Sequence, residues 1–265
     1  MDGDGESHES DEHRDGSDEF DLPSVLARLD DPSEGARRDA VQRVRRHVDE
    51  RPERVVPTVP KLRQLLGESA TDCHEEIAYC LAELADESVD DVAPSIDGIV
   101  AFLADDPTHA ATSELLRCLA TVAADRPAAL VDHAETIAAA LEERDGYDVR
   151  GIETLARLSS AELDALEPAA VAATGSTLVA GLEADEPAAR AAAADAVGRV
   201  VDGIDAEPSV VACDGAEVRR DGGELTDSSA CGGLGRVDEL LSALATDDPD
   251  PTVRERAAWA ADRLP

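Results

Sequence analysis

The chain is nearly without rings. Its 265 residues include two Phe, two Tyr, one Trp and a single Met. That excludes a core built around large aromatic side chains and weakens any nucleic-acid surface that relies on stacking rings. Lysine is almost missing as well: of 24 basic residues only Lys61 is Lys, and the rest are Arg. No apolar run approaches the roughly 20 residues that span a bilayer. The acidic N-terminus has neither the basic n-region nor the apolar h-region of a signal peptide. The sequence therefore reads as a cytoplasmic chain with no membrane contact. The five cysteines (Cys73, Cys80, Cys118, Cys213, Cys231) are odd in number and lack CxxC spacing. This argues against a disulfide framework or a structural zinc site. GxGxxG, Walker A, HExxH and GxSxG patterns are all absent. Neither a cofactor nor a catalytic apparatus is expected.

What is abundant is negative charge. Asp and Glu number 60 against 24 basic residues, a formal charge of −36. Such an excess keeps a chain in solution but makes its compact state repel itself. In molar salt the Debye length falls to about 3 Å and most of that repulsion is screened. The composition resembles that of salt-adapted archaeal proteins. Residues 1–19 hold nine acids, one Arg and no apolar residue after Met1. They are expected to form a disordered acidic tail, with residues 20–265 forming a helical array.

That array shows in a recurring corner. "LARLDDPSEGARRDA" at 27–41 has near variants in "FLADDPTHAA", "LEADEPAARAA" and "LATDDPDPTVRERAA". Asp31 suits an N-cap, Pro32 the first helical position and Glu34 the third, as in a capping box. The same logic predicts helix starts at Asp106-Pro107, Glu186-Pro187 and Asp248-Pro249. Pro32 and Pro107 are 75 residues apart, and Pro107 and Pro187 are 80 apart. Halved, these give about 38 and 40 residues, one helical hairpin each. A second corner repeats inside the hairpins as "DERPERVVP", "DESVDDVAP" and "ADRPAALVD". A period of this length with two helices per unit predicts an all-α fold, an α-solenoid.

"DEPAARAAAADAVGRV" (185–200) and "DDPDPTVRERAAWAADRL" (247–264) resemble the first helices of HEAT repeats, in particular the short variety of phycobilin lyases. The resemblance rests on an acid and Pro, then Val-Arg, then small residues, here Pro251, Val253, Arg254, Ala257, Ala258, Ala261 and Leu264. It implies a HEAT-like superhelix and carries over no catalytic residue. The predicted segments are a leading helix at 22–30, hairpins at 32–66, 70–104, 107–143, 147–183 and 187–245, and a final helix at 250–264. Residues 203–235 hold seven Gly and no helical stripe, so they read as an insert with a small β-hairpin at Asp214-Gly215. Predicted core faces include Cys73, Ile77, Cys80 and Leu84, and Val253, Ala257, Ala260 and Leu264. Cys73 and Cys80 are thus core residues, although Cys73-His74 resembles half of a metal site. Cys118 has the same reading. Cys213 and Cys231 lie in the insert.

Two features stand out as candidate partner sites. Residues 37–63 carry nine basic residues against four acids. Arg38, Arg43, Arg45 and Arg46 fall off the Ala40/Val41/Val44/Val48 stripe and so face outward. They read as a solvated face satisfied by acids, an anion-binding patch or a dock for the acidic tail. Trp259 falls well off the apolar face of the last helix. It is either covered by the insert or a chain end, or an exposed anchor for a partner. The function expected is a non-catalytic protein-interaction scaffold. Its second helices carry Asp90, Asp91, Asp97, Asp132, Glu135, Glu142 and Glu143, a surface suited to a basic partner. The alternatives are nucleic-acid binding through the basic first repeat and a lyase- or chaperone-like role in cofactor attachment. Oligomeric state is not legible.

Overall fold

The computed structural model describes residues 20–68, 71–144, 148–161, 165–166, 168–203 and 230–264, and no strand occurs among them. The long helices are α1 (Leu22–Leu29), α2 (Glu34–Val48), α3 (Val59–Leu66), α4 (His74–Glu87), α5 (Ile96–Asp105), α6 (Thr112–Asp125), α7 (Ala134–Glu142), α8 (Val149–Ala161), α9 (Pro168–Leu182), α10 (Pro187–Gly203), α11 (Ala230–Asp247) and α12 (Pro251–Ala261). Short helical turns at 52–58, 89–95 and 127–133 bend the chain inside the first three hairpins. The even-numbered helices stack side by side in one row and the odd-numbered helices in a second. Apolar stripes of the helices are buried between the rows, which is the solenoid read from the period. On α2, Ala40, Val41, Val44 and Val48 are buried, and on α4 Ile77, Cys80 and Leu84 are buried together with Cys73 just before it.

The corners differ from the capping boxes expected. Helix α2 starts at Glu34 with Ser33 as N-cap and no side-chain cap bond. Asp31 instead accepts the Ser33 N–H at 2.8 Å, an Asx-type turn ahead of the helix. Helix α6 starts five residues after Pro107, and Asp106 accepts the Thr108 hydroxyl at 3.1 Å. At the last corner the helix uses the second Asp-Pro: Asp250 accepts from Thr252 N and Val253 N, with Pro251 at the first position. Only Pro187 opens its helix as expected. Two boundaries also move. α12 ends at Ala261, so Leu264 lies beyond the helix and is half-buried. α11 starts at Ala230, inside the stretch expected to be insert, even though its first turns are Gly-rich and poor in intrinsic helix propensity. The predicted tail, the hairpin at Asp214-Gly215 and Cys213 lie outside the described residues.

The corner is held by one side chain reaching back six residues. Arg37 Nη1 donates to the carbonyls of Asp31 (3.1 Å) and Pro32 (3.3 Å). Arg190 does the same to Ala184 and Asp185 (both 2.7 Å), and Arg254 to Asp248 (2.7 Å) and Pro249 (3.1 Å). Thr112 donates to the Asp106 carbonyl at 3.4 Å. At the same place in the second hairpin stands His74, on whose ring the Glu68 and Leu66 carbonyls act. The recurrence of the corner therefore preserves carbonyls that would otherwise go unpaired.

The interior falls into two clusters. The first runs from Phe20 to Ala170 and is dominated by Leu, Ile and Val. The second is built on α8–α12, and seven of its fourteen buried residues are Ala. Between them, on α8 and α9, sit the buried hydroxyl residues Thr154, Ser159, Thr174 and Thr177. Thr154 and Thr177 donate to carbonyls one turn back, at 2.8 and 3.0 Å.

Candidate interaction surface

The arginines of the first hairpin lie on the outer face of α2, and the next repeat supplies partners for them. Arg38 Nε donates to Asp72 Oδ1 at 2.8 Å, and its guanidinium also lies 3.6 Å from Glu34. The Arg45 guanidinium lies 3.8 Å over the Tyr79 ring. The Tyr79 hydroxyl donates to Asp49 at 2.6 Å, and that bond, with burial, pushes its pKa up to about 12. Arg117 of α6 approaches the same ring at 5.6 Å and pairs with Glu83 and Glu114, each at 2.7 Å. Tyr79 thus joins cations from two repeats. Arg43 is half-exposed and Arg46 is exposed. Arg45 and Arg46 line a shallow hollow of about 350 Å³ with Gln42, Glu75 and Glu76. The excess of basic residues along 37–63 is therefore local in sequence rather than in space, because α4 brings acids against it.

Trp259 is half-buried and packs on α10. Gly198 lies against the six-membered part of its ring, so that a Cβ there would collide with it. The Arg263 guanidinium stacks over the ring at 3.9 Å, while its Nη1 donates to the Trp259 carbonyl at 2.9 Å. Helix α10 and the chain's own Arg263 therefore both pack against the ring.

The cysteines behave as core residues. Cys73, Cys80 and Cys118 are free and buried. Burial pushes the thiols of Cys80 and Cys118 up to about 12, and Cys118 Sγ donates to the Leu81 carbonyl at 3.6 Å. Among the described residues no group of three or more His, Cys, Asp or Glu side chains is placed to hold a metal ion. No helix of the described residues is long and apolar enough to cross a membrane.

The second row presents a different surface. Helices α5, α7 and α9 contain no Lys or Arg. Asp97 and Glu135 occupy equivalent exposed positions on α5 and α7, as do Ala101 and Ala139, and then Asp105 as the last residue of α5 and Glu143 just past α7. Two acids thus flank a small apolar step, repeated after 38 residues. Asp97 is 91% exposed, and its partner is His133 Nε2 at 3.1 Å. Basic residues flank this stretch and are engaged: Lys61 with Asp30 at 2.6 Å, Arg63 with the Pro94 carbonyl at 2.8 Å, and Arg236 with Glu183 at 2.8 Å. Of the other acids read from the sequence, Asp90 pairs with Arg126, and Asp91 accepts the Ser88 hydroxyl at 2.6 Å.

No protein-family model and no curated protein matches the chain. Solved structures do. A designed armadillo repeat protein in complex with the peptide (KR)4 superposes with a TM-score of 0.70 at 14% identity, over 93% of this chain and all of the other. A computationally designed armadillo repeat protein for modular peptide recognition gives 0.69 at 13% identity, over 92% of this chain and 100% of that one. An engineered protein gives 0.65 at 20% identity, covering 93% and 99%. The fold is thus an armadillo-like helical repeat solenoid.

Proposed function

We propose that the protein is a non-catalytic interaction scaffold whose second-row face takes up an extended, basic segment of a partner protein. The observation that carries this is the repeated step Asp97–Ala101–Asp105 and Glu135–Ala139–Glu143, exposed on helices with no basic residue. Neighbouring helix axes lie about 8–10 Å apart. On an extended chain rising about 3.3 Å per residue, basic side chains two or three residues apart meet successive helices. The similar armadillo design in complex with (KR)4 supports the reading, because it engages an alternating basic peptide on the same fold. The repeats are HEAT-like and short, and the scaffold works in a salt-adapted cytoplasm, a reading that rests on the formal charge of −36.

Titration of fluorescent peptides tests this. A Lys/Arg peptide should bind, and an Asp/Glu peptide and single-stranded RNA should not. With exposed pairs worth about 0.2–1 kcal/mol each, D97N/D105N/E135Q/E143Q should weaken binding about tenfold. Binding of RNA with no binding of the basic peptide would overturn the proposal in favour of the first-repeat arginines.

A further inference from the structure

In a chain so short of rings, three of them meet at one place. His74 at the start of α4, Phe102 on α5 and His109 in the turn before α6 have ring centroids 5.1, 5.6 and 5.2 Å apart. They form the junction of the second and third hairpins. His74 is buried and its Nε2 has no hydrogen-bond partner. It occupies the corner position that Arg37, Arg190 and Arg254 hold elsewhere, so an ionisable group has replaced a permanently charged one. His109 Nδ1 accepts the Ala111 N–H at 3.0 Å, directly ahead of α6. That bond requires an unprotonated Nδ1.

We propose that this cluster is a proton-operated joint: it closes the second hairpin on the third while both imidazoles are neutral, and loosens when either takes a proton. A proton on His109 Nδ1 sets two N–H donors against each other and removes the bond that precedes α6. A proton on His74 Nε2, which no acceptor meets, puts a charge on a buried ring 5.6 Å from a second imidazole, and the Glu68 and Leu66 carbonyls offset that only in part. The surrounding charged groups do not compensate. Before α4, Glu68 lies by Arg37 and Asp72 is held by Arg38. Cys73 is a buried thiol whose pKa burial raises. On α4, Glu75 is exposed and Glu76 lines the hollow on α2. Asp105 at the end of α5 is exposed, Asp106 accepts from Thr108, and Glu114 on α6 holds Arg117. Among the described residues none of these carboxylates pairs with either ring. Burial, and then His109, outweigh the Glu68 and Leu66 carbonyls, which act the other way, and hold the His74 pKa below the usual histidine value. The stabilising contribution is therefore full above the ordinary histidine value of about 6.5 and is lost as pH falls through the lower folded value.

Hydrogen exchange of the full chain, corrected for intrinsic rates, tests the joint at about pH 7.5 and about pH 5.5, above the carboxylate range. On acidification, protection of residues 105–116 should fall about tenfold relative to residues 187–200. The non-titrating variant H74Q/H109N, whose introduced side-chain amide at position 109 keeps an acceptor for the Ala111 N–H, should lose most of that dependence. Unchanged protection in the wild-type chain, or an equal fall in the variant, overturns the proposal. If the variant does not fold, an NMR titration of the wild-type imidazoles replaces it. His74 staying neutral until protection is lost supports the joint, and both rings protonating with protection intact overturns it.

Discussion

The two halves of the solenoid solve the same packing problem in opposite ways. From α1 to α7 the rows are held apart by Leu, Ile and Val, and a Cβ added at Gly35, Gly67 or Gly98 meets nothing closer than 3.6 Å. From α8 onward Ala dominates, and the helices close up until glycine is needed. Gly151 lies against Leu141, and Gly198 lies against Trp259. A leucine interior tolerates little removal, and an alanine interior tolerates little addition. At about 25 cal/mol per Å² of apolar area, the second half also gains less from each buried residue. It also holds a well-shielded ion pair, Arg190 with Asp248. Arg190 donates to Asp248 at 2.8 and 3.3 Å, and both side chains are largely shielded from water.

The largest expected effect lies in the first half. Leu81→Ala removes a fully buried side chain between α4 and its neighbours and should cost about 2–5 kcal/mol in denaturant unfolding. A loss below about 1 kcal/mol would mean that this half repacks freely. Asp248→Asn should follow, at about 1.5–3 kcal/mol, because it weakens charge-assisted bonds to Arg190. Arg190, assisted by the Asp250 N–H, holds the Asp248 carboxyl below its usual value. Its contribution is therefore present above the ordinary carboxylate pKa and is lost as pH falls through the lower folded value. The gap between wild type and Asp248→Asn should close in acid; a constant gap would contradict the pairing. Gly198→Ala drives a methyl into the Trp259 ring and should cost about 1–3 kcal/mol, with a change in tryptophan emission. The same substitution at exposed Gly35 should be neutral or stabilising. Last, Arg38→Ala breaks exposed pairs with Asp72 and Glu34 and should change stability by less than about 1 kcal/mol. A larger loss would show that the outer arginines are structural ties.

The solenoid itself was legible because its signals are local and repeated: a stripe such as Ala40/Val41/Val44/Val48, a Pro-marked corner and a period near 38. The details of each corner were not. Asp-Pro serves equally as a cap with its first turn or as a turn ahead of the helix, and α2 and α6 take the second course. The start of α11 was hidden by its glycines, whose helix propensity is weak. The candidate sites were harder still. Charge counted along 37–63 omits Asp72, Glu75 and Glu76, which only the stacking of α4 on α2 brings near. Helical angle places Trp259 off the core stripe, but not that Gly198 leaves a recess for its ring. The exposed steps on α5 and α7 were half visible: their acids could be read, whereas the shared register needed the helix ends. A signal for the ring cluster did exist, since His74 stands 37 residues after Arg37.

The corner fastening also bears on how such a chain grows. Each of Arg37, Thr112, Arg190 and Arg254 finds its carbonyl within its own seven-residue segment. A tandem duplication that begins at a corner therefore arrives with that corner already tied, and demands no matching change elsewhere. Array length is free to vary by whole hairpins. The copies can then diverge at the tying residue, as Arg, Thr and His have done here, so long as the side chain still reaches six residues back.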